Sequence, residues 1–120
     1  MSTIQEKPTV HLDPETQPMH PFLAAAARRV LFLDGAMGTS IHEYDLDLEK
    51  DYLNAENCTE VLVKTRPDVI QEIHESFLKV GSDAVETDTF GANKLVLAEF
   101  DLQDETYEIN KLACAIARKA

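Results

Sequence analysis

Val30-Leu31-Phe32-Leu33-Asp34-Gly35-Ala36-Met37-Gly38-Thr39 decides how this chain is read. Residues 30–34 predict a short buried strand, four apolar residues closed by an acid and then glycine. Parallel strands covered on both faces read as continuous apolar runs rather than alternations. Groups that carry chemistry in such folds sit at the carboxyl ends of the strands, where Asp34 stands. The pattern returns at 82–91, Ser-Asp-Ala-Val-Glu-Thr-Asp-Thr-Phe-Gly, with a second strand expected over 83–88. An apolar-faced segment between them predicts a crossover helix over 67–80. Pro67 suits its first turn, Asp68 and Glu72 favour its positive end, and Lys79 and Gly81 close it. A helical crossover demands parallel strands, joined right-handedly. The fold class expected is therefore α/β.

Outward from this unit, residues 1–20 hold Pro8, Pro14 and Pro18 without sustained periodicity and read as a disordered tail. Residues 21–29 predict a short helix ending in Arg28 and Arg29, which complement its dipole. Residues 45–57 are acidic and polar and read as a loop over the site. A calcium reading of Asp45, Asp47 and Glu49 fails, because the loop glycine and terminal glutamate are out of register. Asn57 is expected to cap a short helix over 59–65, with Glu60 at its third position. Further helices are expected over 92–100 and about 104–119, the latter capped by Asp104 or Thr106.

The charge balance is 11 bases against 22 acids, a net −11. Nucleic-acid and anionic-membrane partners need a basic footprint and are not expected. No signal peptide is visible and no apolar run approaches 18 residues, so a cytoplasmic protein is the default expectation. Cys58 and Cys114 show no metal or disulfide spacing. Cys114, among small apolar residues, reads as buried and inert. His11 and His20 read as solvated tail residues, and His74 as a core or boundary histidine, since no second ligand follows at i+4.

The strand ends gather Asp34, Glu86, Thr87, Asp88 and Thr89 into an acidic, hydroxyl-rich mouth. Carboxylates there suit the ammonium of an amino acid. Backbone N–H groups near Gly35–Gly38, with Thr87 or Thr89, suit its carboxylate. A purely structural capping role stands beside this reading. So does a glycoside-hydrolase reading of Asp34 and Glu86 as paired carboxylates, a weak signal. The glycine spacing is neither a dinucleotide fingerprint nor a Walker loop.

LDGAMGTSI at 33–41 followed by TRPDVIQEIHESFLKVGSDAVETDTFGAN at 65–93 resembles the homocysteine S-methyltransferase family, of the cobalamin-dependent methionine synthase type. The betaine–homocysteine branch shares the first motif more loosely. The resemblance runs from about Val30 to Ala120. It implies the first βα units of a (β/α)8 TIM barrel, incomplete here because such a barrel needs about 250 residues. It assigns 21–120 to the N-terminal portion of a homocysteine-binding barrel. The implied activity is methyl transfer to the homocysteine thiol. The implied cofactors are zinc, which ionises the thiol, and methylcobalamin. The family's zinc cysteines lie on later strands and none maps here, so no metal ligand and no bound cofactor are expected from this fragment alone. Asp34, Gly35, Glu86, Thr87, Thr89 and Phe90 fall in motifs resembling family substrate-pocket positions. Asp88 stands where many relatives carry Asn. The resemblance implies a fragment inactive alone. The alternatives are a non-catalytic interaction piece needing a complementing chain, and an unrelated small α/β binding domain.

Overall fold

A computed structural model describes residues 19–120; the tail reading of the first residues, with His11, lies outside them. The chain divides into two compact units, Met1–Val30 and Leu31–Ala120. In the first, α1 spans Pro21–Ala26, with Pro at its start and the His20 imidazole accepting the Phe22 N–H at 3.2 Å. His20 thus caps a helix. Arg28 and Arg29 follow α1 rather than ending it.

The second unit is built from helices: α2 (Met37–Ile41), α3 (Leu62–Thr65), α4 (Pro67–Lys79), α5 (Lys94–Leu97) and α6 (Thr106–Lys119). Short 3-10 turns at Thr59–Val61, Ala98–Phe100 and Gln103–Glu105 lead into or out of them. α4 presents Val69, Ile70, Ile73 and His74 to the interior, an i, i+1, i+4, i+5 stripe that matches the helical period. Full burial of one such isoleucine contributes about 2 kcal/mol. α3, α4 and α6 pack against one another, and α2 packs on α4. Leu62, Val63, Ile109, Ala113 and Ile116 complete the core beside α4.

The ends of these helices have identifiable causes. Pro67 opens α4, and the Arg66 guanidinium grips both oxygens of Asp68 at 3.0 and 2.9 Å. At the far end Gly81 adopts φ +109°. Its N–H reaches the Leu78 carbonyl and that of Ser82 reaches Phe77, a Schellman closure that only glycine enters without strain. Val80, expected as the last residue of this helix, lies past it and is exposed. Asn93 caps α5 by accepting the N–H groups of Leu95 and Val96, both at 3.1 Å. Neither Asp104 nor Asn57 caps a helix: Glu105 precedes α6, Cys58 precedes the 59–61 turn, and Asn57 takes a left-handed φ of 69°. Thr106 instead donates its hydroxyl to the Gln103 carbonyl. Cys58 is buried while Cys114, expected buried, is exposed on the outer side of α6.

The expected α/β class, with βα units of a barrel, is not what the chain adopts. Segments 30–34 and 83–88 form no strand; a single isolated parallel bridge joins Leu33 and Ala84. Its bonds run from Asp34 N–H to Ala84 O at 3.2 Å and from Ala84 N–H to Phe32 O at 3.4 Å. On either side, carboxylates take the amides a parallel ladder would use next. Asp83 Oδ2 accepts the Phe32 N–H at 2.9 Å, and Asp34 Oδ1 accepts the Glu86 N–H at 2.8 Å. Short acidic side chains compete with ladder bonds in this way, which is why they are poor strand residues. The described residues of this unit are therefore a helical assembly carrying two extended segments pinned together at one point.

Asn93→Ala is expected to lower stability by about 1 kcal/mol. Urea denaturation should show an earlier midpoint with unchanged slope.

Candidate functional site

The pinning point places the sequence-predicted site residues side by side. Asp34 and Gly35 from one segment, and Glu86, Thr87 and Phe90 from the other, line one hollow of about 210 Å³, together with Ala36, Met37 and Asp88. Thr89 joins Glu86, Thr87 and Phe90 around a second hollow of about 320 Å³. The Thr87 and Thr89 hydroxyls bond each other at 2.7 Å, which fixes both. Phe90 is 102% exposed, its ring standing free in solvent. Glu86, which lines both hollows, is also exposed.

Asp34 has a different place from Glu86. Its side chain is 4% exposed, with one oxygen on the Glu86 N–H and the other 3.9 Å from His74 Nδ1. It is a structural tie as well as a wall of the hollow. The left-handed residue of the DGAMG turn is Ala36, at φ 52°, rather than a glycine. That conformation starts α2 without any side-chain cap.

Two buried acids lie behind this surface, and sequence reasoning missed one of them. Glu60, expected as a helix-capping residue, is buried and accepts the Gly91 N–H at 2.6 Å. A Cβ at position 91 would lie 2.8 Å from Glu60 Oε1 and 3.1 Å from Val96 Cγ1, so any other residue would displace the Glu60 carboxylate from this bond. An acid directly preceding the apolar run Val61-Leu62-Val63 was the available signal. Asp88 is 5% exposed; Thr59 donates its hydroxyl to Oδ1 at 3.2 Å, and Oδ2 has no hydrogen-bond partner among the described residues. Burial first, and the negative charge of Glu60 second, push its carboxyl up from 3.8 to about 6. A larger hollow of about 460 Å³, between Tyr44, Leu46, Leu48 and Tyr52, contains none of the expected site residues.

Zinc finds no matching donor set here. Cys58 is buried beside Glu60, its Sγ 3.7 Å from Oε2, and burial above all pushes its thiol up to about 11. A thiol so disfavoured as thiolate is a poor ligand. Cys114 lies on α6. No group of three or more His, Cys, Asp or Glu among the described residues is arranged to hold a metal ion. The residues present do not fit a zinc site. Among the described residues no helix is long and apolar enough to cross a membrane.

The sequence profile of the homocysteine S-methyltransferase family matches residues 31–120. The chain belongs to that family. The methionine synthase of Mycobacterium tuberculosis is 42% identical over 97 residues, and that of Mycobacterium leprae 40% identical over 97. Each match takes in 81% of this chain but 8% of the relative, so the chain spans a small part of the length of these proteins. The matched residues include both hollow-lining segments.

Asp88→Asn tests the buried acid. A folded-state value raised from 3.8 to about 6 means the folded chain holds its proton longer than the unfolded chain. The resulting penalty is absent below 3.8, grows as pH rises to about 6, and is constant above. The substitution keeps the Thr59 acceptor and removes the charge. It should stabilise the chain by at most about 3 kcal/mol at pH 8, and by much less at pH 4. The stability difference from wild type across that range, by denaturant unfolding, is the check. Burial lowers His74, whose contribution runs the opposite way with pH and cancels in the difference.

Proposed function

We propose that this chain supplies the amino-acid-binding surface of a homocysteine S-methyltransferase of the methionine synthase type. The single observation that carries this reading is the convergence of two distant family motifs on adjoining hollows. Asp34, Gly35, Glu86, Thr87 and Phe90 line one, and Thr89 lines the other. The two relatives named methionine synthase support it.

In this reading homocysteine binds by its amino-acid end. The exposed Glu86 carboxylate takes the ammonium group, where charge-assisted hydrogen bonds are strong. Asp34, already committed to the Glu86 N–H, adds negative potential and holds the segment in place. The Thr87 and Thr89 hydroxyls and the turn at Gly35 receive the substrate carboxylate. Phe90 covers the apolar methylene stem. Asp88 sits behind, part of the wall rather than a contact.

Thiol ionisation belongs elsewhere. Family chemistry would use zinc for it and methylcobalamin as the methyl donor, and the donors present here do not supply the metal site. The chain is accordingly proposed to be inactive alone and to work with further polypeptide that brings the metal ligands. Exposed Phe32, Leu33 and Phe90 favour the related reading of an interaction piece for a complementing chain. Residues 21–120 carry this role.

Amide NMR of the chain titrated with homocysteine is the test. Shifts are expected at Gly35 and 86–90, with Glu86→Ala weakening binding roughly tenfold, about 1.4 kcal/mol. Shifts confined to other residues, or none at millimolar homocysteine, would overturn the proposal.

A further inference from the structure

His74 lies on α4, 0% exposed, and neither imidazole nitrogen has a hydrogen-bond partner among the described residues. A buried polar ring without partners is costly and calls for a compensating interaction. What faces it is Asp34, with Oδ2 at 3.9 Å from Nδ1. That separation is beyond a hydrogen bond, so the contact is electrostatic. With the two side chains 0% and 4% exposed, water screens it little.

The surroundings offer His74 no other charge of note. Burial disfavours its cationic form and the Asp34 charge works against that burial, in that order. The buried residues of the helices packed on α4 are apolar: Ile41 of α2, Leu62 and Val63 of α3, and Ile109, Ala113 and Ile116 of α6. On α4 itself the buried neighbours are Val69, Ile70 and Ile73. The imidazole and the Asp34 carboxylate therefore form an isolated pair. The other oxygen of that carboxylate holds the Glu86 N–H, and Asp34 and Glu86 both line the hollow.

We propose that His74 is a positioning residue for this hollow, orienting the Asp34 carboxylate through Nδ1 so that Oδ1 keeps the Glu86 segment in place. α4 thereby reaches the ligand surface without touching it. The tautomer with hydrogen on Nδ1 aims its dipole at Oδ2 and is the form that does this. The consequence for ligand affinity rests on the reading of the hollow as an amino-acid site; the coupling of His74 to Asp34 stands on geometry alone.

Carbon-detected NMR of the 120-residue chain tests it, over a pH titration that runs from above the ordinary histidine range to well below it, because burial lowers His74. The Asp34 carboxyl resonance of the wild type is expected to show an inflection that coincides with the His74 ring titration, and to lose it in His74→Asn and His74→Phe. Amide exchange at Glu86 should stay near wild type in His74→Asn, whose side-chain amide supplies an N–H dipole in place of that at Nδ1, and rise about tenfold in His74→Phe, the equivalent of about 1.4 kcal/mol. An Asp34 resonance indifferent to His74 titration in the wild type overturns the proposal, and this reading does not depend on either variant folding. Homocysteine affinity measured on the same samples separates the two claims. Coupling without homocysteine binding supports the His74 role and counts against the amino-acid reading. Binding without coupling does the reverse.

Discussion

Two aspartate carboxylates take backbone amides that a parallel ladder would otherwise use, and the rest of the second unit is arranged around that capture. Asp34 holds the Glu86 N–H and Asp83 holds the Phe32 N–H, one on each side of the Leu33–Ala84 bridge. A charged acceptor makes a stronger bond than a carbonyl. The two segments are thus joined firmly at a point while their apolar side chains, Phe32 and Leu33 among them, stay exposed. The helical core, with α3, α4 and α6 in mutual contact, carries the burial that the extended segments do not.

The same capture shapes the site. Because Asp34 spends Oδ1 on Glu86, residues 86–90 are brought against the Gly35 turn and the hollow opens between them. Behind it, Glu60 holds Gly91 and Thr59 holds Asp88, so the loop is tied down at three places: Glu86, Asp88 and Gly91. Two buried acids within electrostatic reach of each other are a stability cost, visible in the raised Asp88 carboxyl. Such costs are commonly concentrated where a surface must be held in a defined geometry.

The helices were legible because their signals are local. Pro67, the Val69–Ile70–Ile73 stripe and Gly81 mark α4 to within a residue of its expected end, and α6 follows its periodicity from 106 to 119. The strands expected at 30–34 and 83–88 do not form, because a short apolar run becomes a strand only where a neighbouring segment pairs with it along its length, which a local pattern does not reveal. Here Asp34, which closes the first segment, and Asp83, which opens the second, satisfy the amides instead. The candidate site residues were chosen by motif, and the folded chain brings them to adjoining hollows. What their side chains are committed to was not readable: Asp34 faces inward to His74, and Glu60, read as a cap, is a buried acceptor for a residue 31 positions away. These pairings are long-range and leave no periodic trace. Cys114 failed for a simpler reason, since small apolar neighbours in sequence do not reveal which side of a helix is covered.

Scalar coupling across the hydrogen bond of the Glu86 amide tests the carboxylate capture directly. Coupling from the Glu86 nitrogen to the side-chain carboxyl carbon of Asp34 is the predicted result. Coupling to the main-chain carbonyl carbon of Asp34, the partner in a continued parallel ladder, would contradict it.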